Sequence, residues 1–143
     1  MTKSRFYLIL AGIVTVFIFS ASSQTAQESS ELSQGLLHFL MLFLGKIGIT
    51  ITHLFVRKAA HFTEFFMQSL FLSLSAFYSL KGLKPYISNI VLTGLLTACL
   101  DEFSQHFSLG RSAQISDVLI DFSGTMCALI LLCVVEKLSK RRA

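Results

Sequence analysis

The sequence predicts an all-α, polytopic integral membrane protein with four transmembrane helices plus one interfacial or re-entrant helix. Apolar residues make up 53% of the chain and charged residues only 14%, whereas an average soluble domain has about 25% charged residues. Several apolar runs approach the roughly 20 residues that a helix needs to cross about 30 Å of hydrocarbon. Basic residues collect at the ends of these runs, as in the loops of membrane proteins. Residues 1–143 are therefore predicted to form a single membrane domain.

Four apolar segments are predicted to cross the bilayer, at about residues 6–21, 59–80, 86–103 and 117–135. The first follows Lys3 and Arg5 and precedes small polar residues, so it also has the features of a secretory signal peptide. The sequence leaves open whether this segment is cleaved, but in both cases the residues after Ser20 lie outside the cytoplasm. Pro85 suits the first turn of the third span, because its missing N–H costs nothing there.

The segment at about 32–56 is apolar enough to span but is predicted to lie in the interface or to re-enter it. It contains His38, Lys46 and His53, and a lysine near the centre of a spanning helix costs about 2.5–3.5 kcal/mol on insertion scales. Its apolar residues recur at helical spacing, as in an amphipathic helix: Leu36, Leu40, Phe43, Leu44, Ile47, Ile51, Leu54 and Phe55. A true span is the alternative.

The distribution of charge predicts the orientation. With the N-terminus in the cytoplasm and four spans, 8 of the 12 basic residues lie inside, including the C-terminal cluster from Lys137 to Arg142. This satisfies the positive-inside rule, so both termini are predicted to be cytoplasmic. The acids are not part of that rule, yet all of them except Glu136 fall on the outer side, together with all four histidines. Ionisable side chains are therefore expected to converge at the outer face.

Several function classes find no support. The positive charge is divided among loop ends, so a nucleic-acid partner is not expected. Cys99, Cys127 and Cys133 lie in apolar runs without a Cys-x-x-Cys motif, which argues against a disulfide framework or a zinc knuckle. No nucleophile elbow, phosphate loop or dinucleotide fingerprint is present, so no cofactor is predicted.

Three polar clusters are predicted to meet at the outer face. The first is on the second span, the second ends the third span, and the third begins the fourth. Ionisable residues inside a membrane are costly and are functional candidates by default, so these clusters predict one water-accessible ligand-binding pocket. Its members are Arg57, Lys58, His61 and Glu64, then Asp101, Glu102 and Gln105, then Arg111, Ser112, Asp117 and Asp121.

The chemistry of the pocket has more than one reading. Arg57, Lys58 and Arg111 suit a phosphate or carboxylate, since guanidinium groups bind such anions in a bidentate way. The candidates for catalytic proton transfer are His61, Glu64, Asp101 and Glu102. The same four side chains suit a divalent cation, but His-x-x-Glu is a weak signal and His-Glu-x-x-His is missing, so no metal site is predicted. The alternative is that these side chains only tie the helices together.

These clusters resemble the VanZ-like family of bacterial membrane proteins. The matching stretches are Arg57 to Phe65, Asp101 to Gln105, and Gly110 to Ala113 with Asp117 and Gly124. The stretch from Phe19 to Gln24 is also similar, and the resemblance covers about residues 6–135. Asp121 departs from the family pattern, which more often has Asn at that position.

The resemblance implies a multi-pass protein of the bacterial cell membrane with a role in the cell envelope. The family is named for low-level resistance to teicoplanin, a glycopeptide that acts on cell-wall precursors outside the membrane. The expected partners are therefore the lipid bilayer and an anionic envelope molecule, either lipid-linked or phosphate-bearing, such as a cell-wall precursor. An enzyme acting on an envelope lipid, with His61 or Glu64 as general base, and a non-enzymatic interaction protein are the alternatives. The oligomeric state is left open.

Overall fold

The computed structural model describes residues 1–44, 46 and 50–142, and these residues form five α-helices and no β-strand. The helices are α1 (Lys3–Ser22), α2 (Ala26–Leu44), α3 (His53–Phe77), α4 (Ile87–Gln105) and α5 (Ile115–Arg142). A 3₁₀ turn at Lys84–Tyr86 leads into α4 and has Pro85 in its first turn. The all-α prediction is therefore confirmed.

Three of the described helical segments are long and apolar enough to cross a membrane: Lys3–Ser22, Lys84–Gln105 and Ile115–Arg141. They keep large apolar side chains exposed along their lengths, such as Ile13 on α1, Leu96 on α4 and Ile130 on α5. A helix in water would not leave such faces uncovered, whereas lipid accommodates them. α3 is also long, at 25 residues, but polar side chains interrupt it and it is not among these three.

α3 lies at the centre of the bundle, where it packs most extensively against α5 and α1. Gly124 lets the α5 backbone approach closely, because a Cβ there would lie 2.3 Å from the Phe62 carbonyl oxygen of α3. Two turns further along α3, the Ser69 hydroxyl donates to the Thr125 carbonyl oxygen at 2.9 Å. Small residues and interhelical hydrogen bonds of this kind hold helices together in lipid, where the hydrophobic effect does not.

The two ends of the bundle differ in chemistry. At the end near the 3₁₀ turn, the core is apolar and contains Ala76, Leu83, Ile90, Leu129 and Leu132. At the opposite end, α1 and α4 finish while α3 and α5 begin, as expected for antiparallel neighbours joined by short connections. We call this second region the polar end, since it holds the buried Asp101, Glu102, Gln105 and Asp121.

The single helix predicted at 32–56 is wrong in its boundaries. α2 begins at Ala26, about six residues before the predicted start, and residues 53–56 belong to α3. The cause is a capping box: the Thr25 hydroxyl accepts from the Glu28 N–H at 3.3 Å, and the Glu28 carboxylate accepts from the Thr25 N–H at 2.8 Å. The Thr25 N–H and the Thr25 hydroxyl, at 2.8 Å each, both donate to the Glu28 carboxylate and lower its pKa. The apolar pattern also includes Phe43 and Ile47, and the side chains of both lie outside the described part of the structure.

Candidate functional site

One residue from each predicted cluster meets at the polar end. His61 lies in α3, Asp101 in the last turns of α4, and Asp121 in the second turn of α5. The His61 Nδ1 atom is 3.7 Å from Asp121 Oδ1 and 4.0 Å from Asp101 Oδ2. One donor atom from each residue lies within 4.8 Å of the others, as a shared metal ion would require. The sequence suggested that Glu64 and Glu102 would accompany His61 and Asp101. In the structure, Asp121 is the carboxylate beside them instead.

Asp101 is held in position from two sides. It has no exposed surface, the Ser22 hydroxyl donates a hydrogen bond to its Oδ1 atom, and the Gln105 amide donates to its Oδ2 atom at 2.8 Å. Buried polar groups in native proteins are normally satisfied in this way. The carboxylate therefore links the end of α1 to the end of α4 and is fixed beside His61.

Asp121 has the same burial but none of this support. It also has no exposed surface, and neither carboxylate oxygen has a hydrogen-bond partner among the described residues. The atom closest to forming an ion pair with it is Nδ1 of His61. An unpaired carboxylate is expensive in a membrane interior, so either a proton on Asp121 or a bound cation would stabilise this arrangement.

Arg111 closes the polar end from the α4–α5 loop. Gly110 has a φ of 76°, a left-handed conformation that glycine adopts readily, and turns the chain just before it. The Arg111 guanidinium then donates to the carbonyl oxygens of Ser22 and Ala21, at 3.3 and 3.5 Å. These carbonyls end α1, where a helix has unpaired acceptors and a partial negative charge. Burial is the main reason why the pKa of Arg111 is lowered, and the charge of Arg57 lowers it further.

Three cavities adjoin one another around these residues. A cavity of about 280 Å³ is lined by Arg57, Lys58, His61, Arg111, Asp117 and Asp121, among others. A second, of about 360 Å³, shares Arg57, His61 and Arg111 with it and extends along α1 and α2. A third, of about 380 Å³, shares Ala60 and Glu64 with the second and runs between apolar side chains of α2 and α3. The polar chamber thus adjoins a second cavity, and that cavity adjoins an apolar groove.

The family model described as VanZ/LLP1 matches residues 6–136, nearly the whole chain. The chain belongs to the VanZ/LLP1 family. No curated protein and no solved structure matches it. The resemblance identified around Arg57, Asp101 and Arg111 is therefore confirmed, and the apolar helices agree with a membrane protein.

Other predicted residues of this VanZ/LLP1 protein lie around the same site. Lys58 of the first cluster and Asp117 of the third form an ion pair, since Lys58 Nζ lies 2.9 Å from Asp117 Oδ1. Both side chains are partly exposed, at 46% and 30%, so the pair contributes only about 0–1 kcal/mol to folding. One Glu102 oxygen accepts from the Gln114 N–H at 2.6 Å and so fixes the chain before α5. Ser112 is exposed and lines the 280 Å³ cavity.

The sequence did not single out two serines that help to build the site. Ser22 donates to Asp101 through its hydroxyl, and its carbonyl oxygen accepts from Arg111 and, at 3.0 Å, from the Ser108 hydroxyl. The sequence feature that could have pointed to Ser22 is the family resemblance at Phe19–Gln24, a stretch that lies within the VanZ/LLP1 match. Serine is common in loops, so Ser108 carried no signal of its own.

Proposed function

We propose that this VanZ/LLP1 protein binds an anionic, lipid-linked molecule of the bacterial envelope through a phosphate-bearing headgroup. The observation that carries the proposal is the continuity of the cavities. Arg57 and Arg111 line both polar cavities, and the second of these shares Ala60 and Glu64 with the apolar groove along α2 and α3. An amphiphile with a negative head and a hydrocarbon tail matches this distribution of side chains.

Arg57 is the residue best placed to contact the anion. It is half-buried, and it forms no hydrogen bond or ion pair with another described residue, whereas Lys58 is engaged by Asp117. Its guanidinium therefore keeps all five donors for a ligand. Arg111 retains a buried Nε atom that has no partner among the described residues. The wall around the head would comprise residues that line these cavities, His61, Glu64, Ser112, Asp117 and Asp121. The buried Asp101, Glu102 and Gln105 would support this wall from behind.

The binding site would face the outside of the cell in a four-span topology. α3 would be the fourth span, because its position between α1 and α5 keeps its polar side chains inside the bundle and away from lipid. The positive-inside rule places the Lys81–Lys84 turn and the C-terminal basic cluster in the cytoplasm. Both termini would then be cytoplasmic, the polar end would be outward, and α2 would lie in the outer interface.

The orientation is testable by cysteine labelling in intact cells. In a variant that lacks Cys99, Cys127 and Cys133, we expect Gln27→Cys and Leu109→Cys to react with a membrane-impermeant thiol reagent, because both positions are exposed at the polar end. Lys81→Cys should react only after the cells are permeabilised. Lys81 is chosen as the cytoplasmic position and the neighbouring Gly82 is not, because Gly82 has a φ of 69° that disfavours a side chain. Labelling of Lys81→Cys without labelling of Leu109→Cys would show the opposite orientation.

Binding is testable with a pair of lipids that differ only in the headgroup. In nanodiscs, native mass spectrometry should detect a polyprenyl phosphate bound to the protein, and much less of the corresponding polyprenol. Arg57→Ala should weaken phosphate binding by roughly 10- to 100-fold, because a hydrogen bond to a charged group contributes about 1.5–3 kcal/mol. Lys84→Ala removes one positive charge at the opposite end and should leave binding unchanged. Equal binding of phosphate and alcohol would contradict an anionic site.

The same variant connects binding to the envelope role. We propose that the protein contributes to low-level teicoplanin resistance through this site. Expression in a susceptible bacterium should then raise the inhibitory concentration of teicoplanin, and Arg57→Ala should abolish the increase at equal protein level in the membrane. Resistance that persists in Arg57→Ala while lipid binding is lost would separate the two properties.

A further inference from the structure

We propose that His61, Asp101 and Asp121 form a binding site for one divalent transition-metal cation, such as Zn²⁺, at the base of the 280 Å³ cavity. The site is assembled from three helices and has one ligand from each predicted cluster. Imidazole nitrogen and carboxylate oxygen are both common Zn²⁺ ligands.

The distances require only a small adjustment. In a tetrahedral site with bonds of roughly 2.0–2.1 Å, neighbouring ligand atoms lie about 3.3 Å apart. The His61 Nδ1 atom is already 3.7 Å from Asp121 Oδ1 and 4.0 Å from Asp101 Oδ2. The donor atoms of all three residues lie within 4.8 Å of one another, so side-chain shifts on the order of 1 Å would bring them to bonding distance of a common ion.

The unpaired Asp121 is the independent observation that points to a cation. Both of its oxygens are buried and lack a hydrogen-bond partner among the described residues, while Asp101 beside it has two donors. Two buried carboxylates at one site repel each other, so one of them takes up a proton or both share a cation, and one dication neutralises both. A lone protonated His61 would supply half of that charge.

The surrounding residues resemble a built metal site. Metal-binding carboxylates are normally oriented by hydrogen bonds from residues that do not touch the ion. Ser22 and Gln105 have this relation to Asp101. His61 and Asp121 line the cavity that also contains Arg57 and Arg111. An ion with three protein ligands keeps a fourth position open, and that position would face the cavity in which an anion would bind.

The experiment uses the metal alone, without lipid. The full-length protein in detergent is stripped with a chelator and titrated with Zn²⁺ by calorimetry, and retained metal is counted by mass spectrometry after gel filtration. We expect about one Zn²⁺ per chain. Asp121→Asn and His61→Gln should each weaken binding by more than about 100-fold, since loss of an outer-shell partner alone costs 10- to 100-fold. Gln105→Leu should fall within that smaller range.

Matched controls separate ligation from general charge and from folding. His106→Gln and Glu31→Gln change an exposed histidine and an exposed carboxylate and should retain wild-type binding. Asp121→Asn keeps the side-chain shape, and its helix content by circular dichroism should match the wild type. Co²⁺ bound to the wild type should give a visible d–d spectrum that is missing in Asp121→Asn. Failure of the wild type to retain Zn²⁺, or equal binding by His61→Gln, would overturn the site.

The outcome is distinguishable from that of the lipid experiment. A cation site without lipid selectivity would overturn the proposed function alone, and lipid selectivity without retained metal would overturn the cation site alone. Binding should also weaken as pH falls from about 7.5 to 5.5, because the ligands must lose their protons to bind a metal. Affinity that does not change over this range would contradict ligation by His61.

Discussion

Replacing Gly124 with valine is expected to prevent the folded bundle from forming. A Cβ at this position would lie 2.3 Å from the Phe62 carbonyl oxygen, 3.2 Å from its carbonyl carbon and 3.1 Å from the Phe66 nitrogen. All three are backbone atoms of α3, so no side chain can rotate away to relieve the overlap. Overpacking usually costs about 1–3 kcal/mol, and here the whole α3–α5 contact would have to separate. Alanine should destabilise the protein measurably, and valine should do so severely.

The loss of the α3–α5 contact also affects the candidate site, because Gly124 lies next to two of its residues. Asp121 precedes Gly124 by one turn of α5, and His61 immediately precedes Phe62 on α3. Moving these helices apart would carry the His61 imidazole away from the Asp121 carboxylate. Gly124→Ala should therefore weaken Zn²⁺ binding even where the protein remains folded.

The measurement is the yield of monodisperse protein after detergent extraction, followed by thermal unfolding monitored by circular dichroism, since the chain has no tryptophan. Gly12→Ala and Gly12→Val provide the matched control, because nothing lies within 4 Å of a Cβ at Gly12 on α1. Gly12→Ala should be neutral or slightly stabilising, as glycine within a helix costs about 0.5–1 kcal/mol relative to alanine. A Gly124→Val protein with wild-type yield and melting temperature would contradict the close approach of α3 and α5.

The convergence of the three clusters was predictable because it depends only on chain direction. Once the apolar runs and basic residues set the order of the spans, His61, Asp101 and Asp121 had to lie near the same end. The bonding partners were not predictable, because they depend on how each helix is rotated about its axis. Asp101 meets Ser22 of α1, a contact between residues far apart in sequence that no spacing pattern encodes.

The errors in the fold have a similar physical origin. Thr25 and Glu28 have the spacing of a capping box, but the serine-rich composition around them is more typical of a turn and obscures this helix start. In α3, His61, Glu64 and Gln68 make the helix less apolar than a typical span. Its place in the bundle explains how such side chains are accommodated, because α1 and α5 pack against it and Gln68 is fully buried.

Replacing Asp101 with alanine is expected both to lower the stability of the bundle and to abolish metal binding. Arg57→Ala, in contrast, should weaken lipid binding without lowering stability. Asp101 accepts hydrogen bonds from Ser22 and Gln105 and has no exposed surface, so alanine leaves both donors without their acceptor. The Ser22 bond joins two helices, and such bonds in membranes contribute about 0.6–1.7 kcal/mol. The Gln105 bond lies within α4 and contributes about 1 kcal/mol, which gives a loss on the order of 1–3 kcal/mol. Arg57 has no such bond to lose within the described part of the chain.

A double-mutant cycle identifies the Ser22–Asp101 contact as the source of the loss. Ser22→Ala and Asp101→Ala remove the same hydrogen bond, so the double variant should be more stable than the sum of the single effects predicts. Unfolding in sodium dodecyl sulfate, followed by circular dichroism, supplies the free energies. Leu100→Ala is the control on α4, because Leu100 is 55% exposed on the face expected to meet lipid, and it should show no coupling to Ser22→Ala. Additive effects of Ser22→Ala and Asp101→Ala would mean that Asp101 stabilises the bundle by some route other than its contact with α1.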